Sequence, residues 1–202
     1  MAGKRVGIMC GTFNPIHLGQ MIIAENACEL YDLDEVLFVP RGDAFYKEDM
    51  LNEKTRINLV GIAIEDNSHF ALSTLEVERG NSYTCETIET LKTKNPDNTY
   101  FLIVGADTFV DMGNWKNAEY DFKEVTVLVA NRIGTSLTEV EDKMKEYKDK
   151  YNANIELLPI SCVDISSKEI RKKVRANKSI RYMVHYKVIE YIRKNNLYKE
   201  AQ

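Results

Sequence analysis

The chain has 202 residues, 44% of them hydrophobic and 29% charged, which against a usual domain of roughly 150 residues implies one domain over residues 1–202 and excludes a disordered chain. Its 27 Lys and Arg stand against 31 Asp and Glu and are interspersed, so no global field draws in nucleic acid or an anionic membrane, and any phosphate ligand has to be held locally. No apolar run approaches the roughly 18 residues that span a bilayer, the first residues carry no cleavage signature, and Cys10, Cys28, Cys85 and Cys162 are isolated, which points to a cytoplasmic protein with buried free thiols rather than a zinc ribbon or redox pair.

The apolar run Val6–Cys10, closed by Gly11, predicts a strand, and the helical spacing of Met21, Ile22, Ala24, Cys28 and Leu30 predicts a helix from Leu18. Val36–Val39 reads as a second buried strand, stopped by Pro40. An irregular stretch from Arg41 to Asn52 leads to an amphipathic helix over Glu53–Asp66, then short strands at Phe70–Leu72 and Leu75–Glu78. Tyr83–Lys94 is helical by pattern, Tyr100–Val104 is a long apolar strand ending at Gly105, and Glu124–Ala130 is another. A helix over Leu137–Tyr151, a strand at Ile155–Leu158, and helices over Ser167–Arg175 and Tyr182–Asn195 complete the chain, with a C-terminal helical part from about 166 to 202. Strands rich in Val, Ile and Leu that alternate with helices predict an α/β fold, doubly wound, with a mostly parallel sheet covered on both faces.

In such sheets ligands bind beyond the carboxyl ends of the strands, near the reversal of strand order. That directs attention to Gly11–Gln20, Pro40–Lys47, Gly105–Asp107 and Ala130–Gly134. The first loop lacks both the dinucleotide fingerprint G-x-G-x-x-G and the phosphate loop G-x-x-x-x-G-K-[ST], which disfavours a dehydrogenase or a kinase-type mechanism. It offers instead Gly11, Thr12 and Phe13, then His17, Gly19 and Gln20 at a helix start, where unsatisfied N–H groups and the helix dipole favour phosphate. Taken alone, a single histidine at a helix start is more often a cap or surface residue than a catalyst.

The loop Gly11–Gln20 resembles the G-T-F-D-P-x-H-x-G-H motif of the nucleotidyltransferase superfamily, and Ile165–Arg171 resembles its I-S-S-x-x-I-R motif. Ser166 and Ser167 also have capping chemistry, and both readings hold together, because a capped helix start with Arg171 one turn in forms an anion site. Further segments, in order, look like bacterial nicotinate-nucleotide adenylyltransferases: Ser82-Tyr83-Thr84, Gly105-Ala106-Asp107, Trp115, and the strand ending Val129-Ala130-Asn131-Arg132. The resemblance runs from Val6 to about Leu197.

It implies a Rossmann-like nucleotidyltransferase fold and transfer of AMP from ATP to nicotinic acid mononucleotide, giving deamido-NAD and pyrophosphate, with Mg2+ carried mainly on ATP and no metal ligands assigned on the protein. It also implies that His17, Gln20 and Arg171 serve catalysis, and that Gly11, Thr12, Phe13, Gly19, Gly105, Asp107, Arg132, Ser166 and Ser167 serve ATP with them. Thr12, Lys47, Tyr83, Thr84 and Trp115 would face the mononucleotide. Asp107 is as readily a helix-start acid as a ribose ligand, and Trp115 taken without the resemblance is more often a core or surface aromatic than a stacking partner for the pyridine ring. Homo-oligomerisation stays open. Gln20 stands where the motif has its second histidine, and Asp43-Ala44-Phe45-Tyr46-Lys47 replaces a Pro-Pro-His-Lys loop common in relatives. Gln donates a neutral hydrogen bond and carries no charge. The rival expectations are a transferase for another small phosphate, such as pantetheine phosphate, and a nucleotide-binding paralogue weakened in catalysis.

Overall fold

The computed structural model describes residues 3–42, 50–131, 136–160 and 164–199. Lys47, Arg132 and Cys162, and the rest of the Asp43–Lys47 segment, lie outside them. Six strands form one sheet: β1 (Arg5–Gly11), β2 (Glu35–Pro40), β3 (Phe70–Leu72), β4 (Thr99–Gly105), β5 (Thr126–Ala130) and β6 (Ile155–Leu158), in the spatial order 3-2-1-4-5-6. All five pairings are parallel. β1 registers on β2 from Val6 opposite Glu35 to Gly11 opposite Pro40, and on β4 from Arg5 opposite Thr99. The chain therefore winds outward from β1 twice, and its order reverses between β1 and β4.

The alternation along each strand divides the apolar residues between two cores. Tyr100, Leu102 and Val104 of β4 join Val6, Ile8 and Val127 on one face, while Phe101 and Ile103 join Met9, Val36 and Phe38 on the other. The second face is covered by α1 (Leu18–Leu30), α2 (Glu53–Ile64), α8 (Ser167–Arg175) and α9 (Tyr186–Lys194), through Ala24, Leu59, Ile170 and Val188. The first face is covered by α4 (Thr84–Lys94), α5 (Ala106–Asp111), α6 (Ala118–Glu124) and α7 (Leu137–Tyr151), through Ile88, Phe109, Phe122 and Val140. The doubly wound α/β fold predicted from the sequence is the observed one.

Several boundaries differ. Leu75–Glu78, predicted as a strand, is helical: α3 spans Leu75–Arg79 and stops at Gly80, whose φ of 75° is left-handed and suits glycine. Two apolar residues in alternation fit a short helix as well as a strand, and the buried carboxyl of Glu76, bonded to Thr87, decides for the helix. Glu124, placed in a strand by its apolar followers, instead ends α6. The last helix begins at Tyr186 rather than Tyr182, whose φ of 64° lies outside helical space. The connector from Gly105 to Glu124, left without an element above, folds as α5, a 3-10 turn at Met112–Asn114, and α6.

That connector is fastened from α7. The Tyr147 hydroxyl donates to the Val110 carbonyl at 2.8 Å and accepts from the Gly113 N–H at 3.0 Å, while its ring packs on Phe109, Phe122 and Tyr151. Tyr147→Phe keeps the ring and leaves both backbone groups without this partner. A loss of about 1–3 kcal/mol is expected from the shift of a urea unfolding midpoint at unchanged slope.

Candidate active site

The carboxyl ends of β1, β4 and β5 open into a cleft. His17, Gly19 and Gln20 line it from the first loop and α1, Gly105 and Asp107 from the end of β4, and Trp115 from the connector. Met9, Cys10, Thr108, Asn131, Ile160 and Ile165 complete much of its wall. Sequence reasoning thus brought six of its chosen residues to one cleft, from segments nearly a hundred positions apart.

The first loop is held by its carbonyls. Gly11 O accepts from Arg41 N at 2.9 Å, Thr12 O from Arg56 Nη1 at 3.0 Å, Asn14 O from Arg171 Nη1 at 2.8 Å, and Pro15 O from the Ser167 hydroxyl at 2.7 Å. Leu18 N donates to Met183 O at 2.9 Å, which joins the start of α1 to the segment before α9. Asn14, 2% exposed, accepts at its Oδ1 from the Tyr198 hydroxyl at 3.0 Å and from Leu51 N at 3.4 Å. Burial pushes the Tyr198 hydroxyl far above the usual phenol range, against the lowering fields of Arg171 and Arg56. Phe13 takes a φ of 46° with its ring buried against Phe38, so only its backbone can serve a ligand. A non-glycine residue in this region is sparsely populated and recurs at functional turns.

His17 caps α1 with extended backbone and is 8% exposed. Gln20, the third residue of the helix, turns its Oε1 back to accept from His17 N at 3.2 Å, half of a capping box. Gly19 between them is buried, and a Cβ there would lie 3.1 Å from His17 Nδ1, so glycine is what lets the imidazole lie over the helix start. Gln20 therefore has a structural task as well as a place on the cleft wall.

The second motif approaches the same loop. Ser166 caps α8 by accepting from Glu169 N at 3.2 Å, Ser167 and Arg171 reach the Pro15 and Asn14 carbonyls, and Ile165 lines the cleft. Arg171 Nε is buried with no hydrogen-bond partner, and Ser166, Ser167 and Arg171 stand behind the loop and not on the cleft wall. Tyr83 and Thr84, at the cap and first position of α4, are not on the cleft wall; Tyr83 is half exposed, with Lys116 Nζ 4.0 Å from its ring centre. Lys47 and Arg132 fall outside the described residues, and no group of three or more His, Cys, Asp or Glu that could hold a metal occurs among those described.

Two features escaped the sequence reading. Arg56 of α2 is 1% exposed and donates to three carbonyls, of Leu51 at 3.2 Å, Thr12 at 3.0 Å and Arg41 at 2.6 Å. Beneath the cleft, the Cys10 thiol meets the Glu76 carboxyl, which also accepts from Thr87 Oγ1 at 2.9 Å; burial raises both pKa values, that of Cys10 further through the Glu76 charge. Neither has a signal in the sequence: Arg56 occupies what reads as an ordinary charged position of α2, and its burial shows only in the fold.

A family model described as cytidylyltransferase-like matches residues 8–173. A protein of Clostridium botulinum named probable nicotinate-nucleotide adenylyltransferase is 39% identical over 98% of this chain and 99% of its own length. One of the same name from Lachnoclostridium phytofermentans is 36% identical over 96% and 99%. Among solved structures, Plasmodium falciparum nicotinic acid mononucleotide adenylyltransferase complexed with NaAD superposes with a TM-score of 0.83 at 24% identity, covering 96% of this chain and 97% of that one. At that identity the likeness is one of fold.

Arg56→Lys retains the charge but not the planar fork that spans three carbonyls. It is expected to cost about 2–4 kcal/mol in denaturant unfolding, because it loosens the loop at three carbonyls.

Proposed function

The chain belongs to the cytidylyltransferase-like family, and on that premise we propose that it transfers the adenylyl group of ATP to nicotinic acid mononucleotide, forming deamido-NAD and pyrophosphate. The observation that carries the site assignment is the joining of two motifs some 150 positions apart: Arg171 and Ser167 bond the loop that presents His17 to the cleft. The relatives' shared name supports the substrates.

In this reaction a phosphate oxygen of the mononucleotide bonds to the α-phosphorus of ATP, the bond from that phosphorus to the bridging oxygen breaks, and the electron pair leaves with pyrophosphate. Positioning and positive charge matter more than a protein nucleophile. His17 lies at the positive end of α1, where it meets the charge that builds on the α-phosphate. Gln20 adds a neutral amide donor beside it, its oxygen being engaged by His17 N. The start of α8, with Ser166, Ser167 and Arg171, receives the β- and γ-phosphates, and Gly11, Thr12, Phe13 and Gly19 offer backbone to them. Asp107 takes a ribose hydroxyl near Gly105, and Trp115 stacks on the pyridine ring, whose carboxylate faces the backbone N–H groups of Tyr83 and Thr84. Lys47 and Arg132 complete the phosphate contacts. Mg2+ enters as part of the substrate MgATP; the cleft wall has Asp107 as its single carboxylate among the described residues, which fits an ion held chiefly by phosphate and water. When bound, it neutralises charge on the leaving pyrophosphate.

A pyrophosphate-release assay with MgATP and a panel of mononucleotides tests this directly: release with nicotinic acid mononucleotide is expected, and ATP binding with no release from any acceptor would mark a binding-only paralogue. His17→Ala is expected to lower kcat/KM by one to two orders of magnitude, roughly 1.4–3 kcal/mol of lost transition-state stabilisation; activity within twofold of wild type would remove His17 from the chemistry. Arg171→Ala is expected to raise KM for ATP well beyond that for the mononucleotide, with poor rescue by Lys, since one ammonium cannot hold the Asn14 carbonyl and a phosphate in the same geometry. Equal losses for both substrates would leave Arg171 with its loop contact alone.

A further inference from the structure

Asp121 is a buried carboxyl that the reaction above does not use and that, unlike Glu76, has no hydrogen-bond partner among the described residues. It sits on α6, is 0% exposed, and neither carboxyl oxygen has a hydrogen-bond partner. Its place is specific. α6 follows directly from Trp115, whose carbonyl accepts from Ala118 N at 3.3 Å, and α6 packs against α4, which begins at Thr84. Asp121 thus lies behind the cleft wall, on the helix that links the Trp115 turn to α4.

Among the described residues, none offers it a neutralising charge. Its charge raises the pKa of Cys85 on α4, of Cys10 at the end of β1 and of Tyr120 on its own helix. The nearby cations are engaged elsewhere, Lys116 with Glu86 and Lys92 with Glu124. α7 brings the rings of Tyr147 and Tyr151 against the adjacent Phe122, and β5 and the 3-10 turn bring no titratable side chain. Cys10, whose pKa the Asp121 charge raises, lines the cleft.

We propose that Asp121 is a positioning and specificity residue for the pyridine end of the cleft: protonated, it lets α4 and α6 receive a ring carboxylate, and ionised, it opposes that carboxylate while leaving a neutral ring amide unaffected. The inference rests on the pyridine mononucleotide reading above. Burial raises the Asp121 pKa to about 7, which puts the change within the working range. The sign follows from this: an acid with a raised folded pKa favours folding in its protonated form, and that contribution is present below the unfolded value near 4 and is lost as pH rises through about 7.

The test compares the KM for nicotinic acid mononucleotide with the inhibition constant of nicotinamide mononucleotide from pH 6 to 8.5. Both ligands carry the same phosphate, so its titration cancels in the ratio. The ratio of KM to inhibition constant is expected to rise about fivefold or more across this range in the wild type and to stay flat in Asp121→Asn. Asp121→Leu, which replaces the lone carboxyl with apolar volume, is expected to be flat as well and to unfold at a higher temperature than the wild type, by a margin that widens as pH rises toward 8. A flat ratio in an active wild type, or the wild-type rise in Asp121→Asn, overturns the proposal. Absence of pyrophosphate release by the wild type at every pH overturns instead the substrate reading on which it rests.

Discussion

The structure depends on how the loop after β1 is held. A turn that presents a histidine to a phosphate has to keep its own carbonyl oxygens away, because a carbonyl dipole facing an anion repels it. Here Gly11, Thr12, Asn14 and Pro15 each give their carbonyl to a donor from elsewhere in the chain: the backbone of Arg41, the guanidinium groups of Arg56 and Arg171, and the hydroxyl of Ser167. Two of those donors are charged, and charge-assisted bonds of this kind are the stronger sort. The loop geometry is therefore a tertiary property. It exists once β2, α2 and α8 have assembled around β1, and it couples folding to the site more tightly than a self-contained turn would.

This explains what could be read in the sequence and what could not. The central strands β1, β2, β4 and β5 were legible because each is a short apolar run between helices, and their two faces are largely buried, which gives near-continuous hydrophobicity. The cleft was legible because parallel sheets with this order place ligands at the carboxyl ends of their central strands. Arg56 was not legible. Its position in α2 is that of an ordinary charged residue on an amphipathic helix, and only the arrival of Thr12, Arg41 and Leu51 around it makes it the centre of a network. The connector after β4 was missed for a related reason: its helices are six and seven residues long, shorter than the window over which helical periodicity is detectable, and they owe their placement to Tyr147 of α7.

Gln20 shows one residue meeting a local and a chemical demand together. The third position of a helix favours Glu or Gln, whose side-chain oxygen can return to the cap N–H, and that bond is made here. An imidazole at the same position could donate charge to a phosphate but would supply the cap with a poorer acceptor, since one ring nitrogen must be unprotonated and correctly placed. The glutamine thus fixes the orientation of the residue that carries the imidazole, His17, and exchanges a second charged donor for a better ordered first one. On this view the departure from the family motif shifts work between two side chains that already share a turn of helix.

The two buried carboxyls on the other face of the sheet make the complementary point that partnering, and not burial alone, decides what a buried acid does. Glu76 and Asp121 are almost equally enclosed, yet Glu76 accepts from Thr87 and meets Cys10 and Ser82, contacts that lower its pKa against the rise from burial. Asp121 has burial as the sole cause of its shift. A partnered acid stabilises the junction of α3 and α4, where Arg79 also bonds Thr87 at 2.9 Å, and its protonation is of little consequence to a ligand. An unpartnered acid costs stability whenever it ionises, so it is tolerated where the fold has surplus stability or where its proton affects something else. Its position on the helix that links the Trp115 turn to α4 favours the second explanation, because those are the elements that a pyridine ring has to enter.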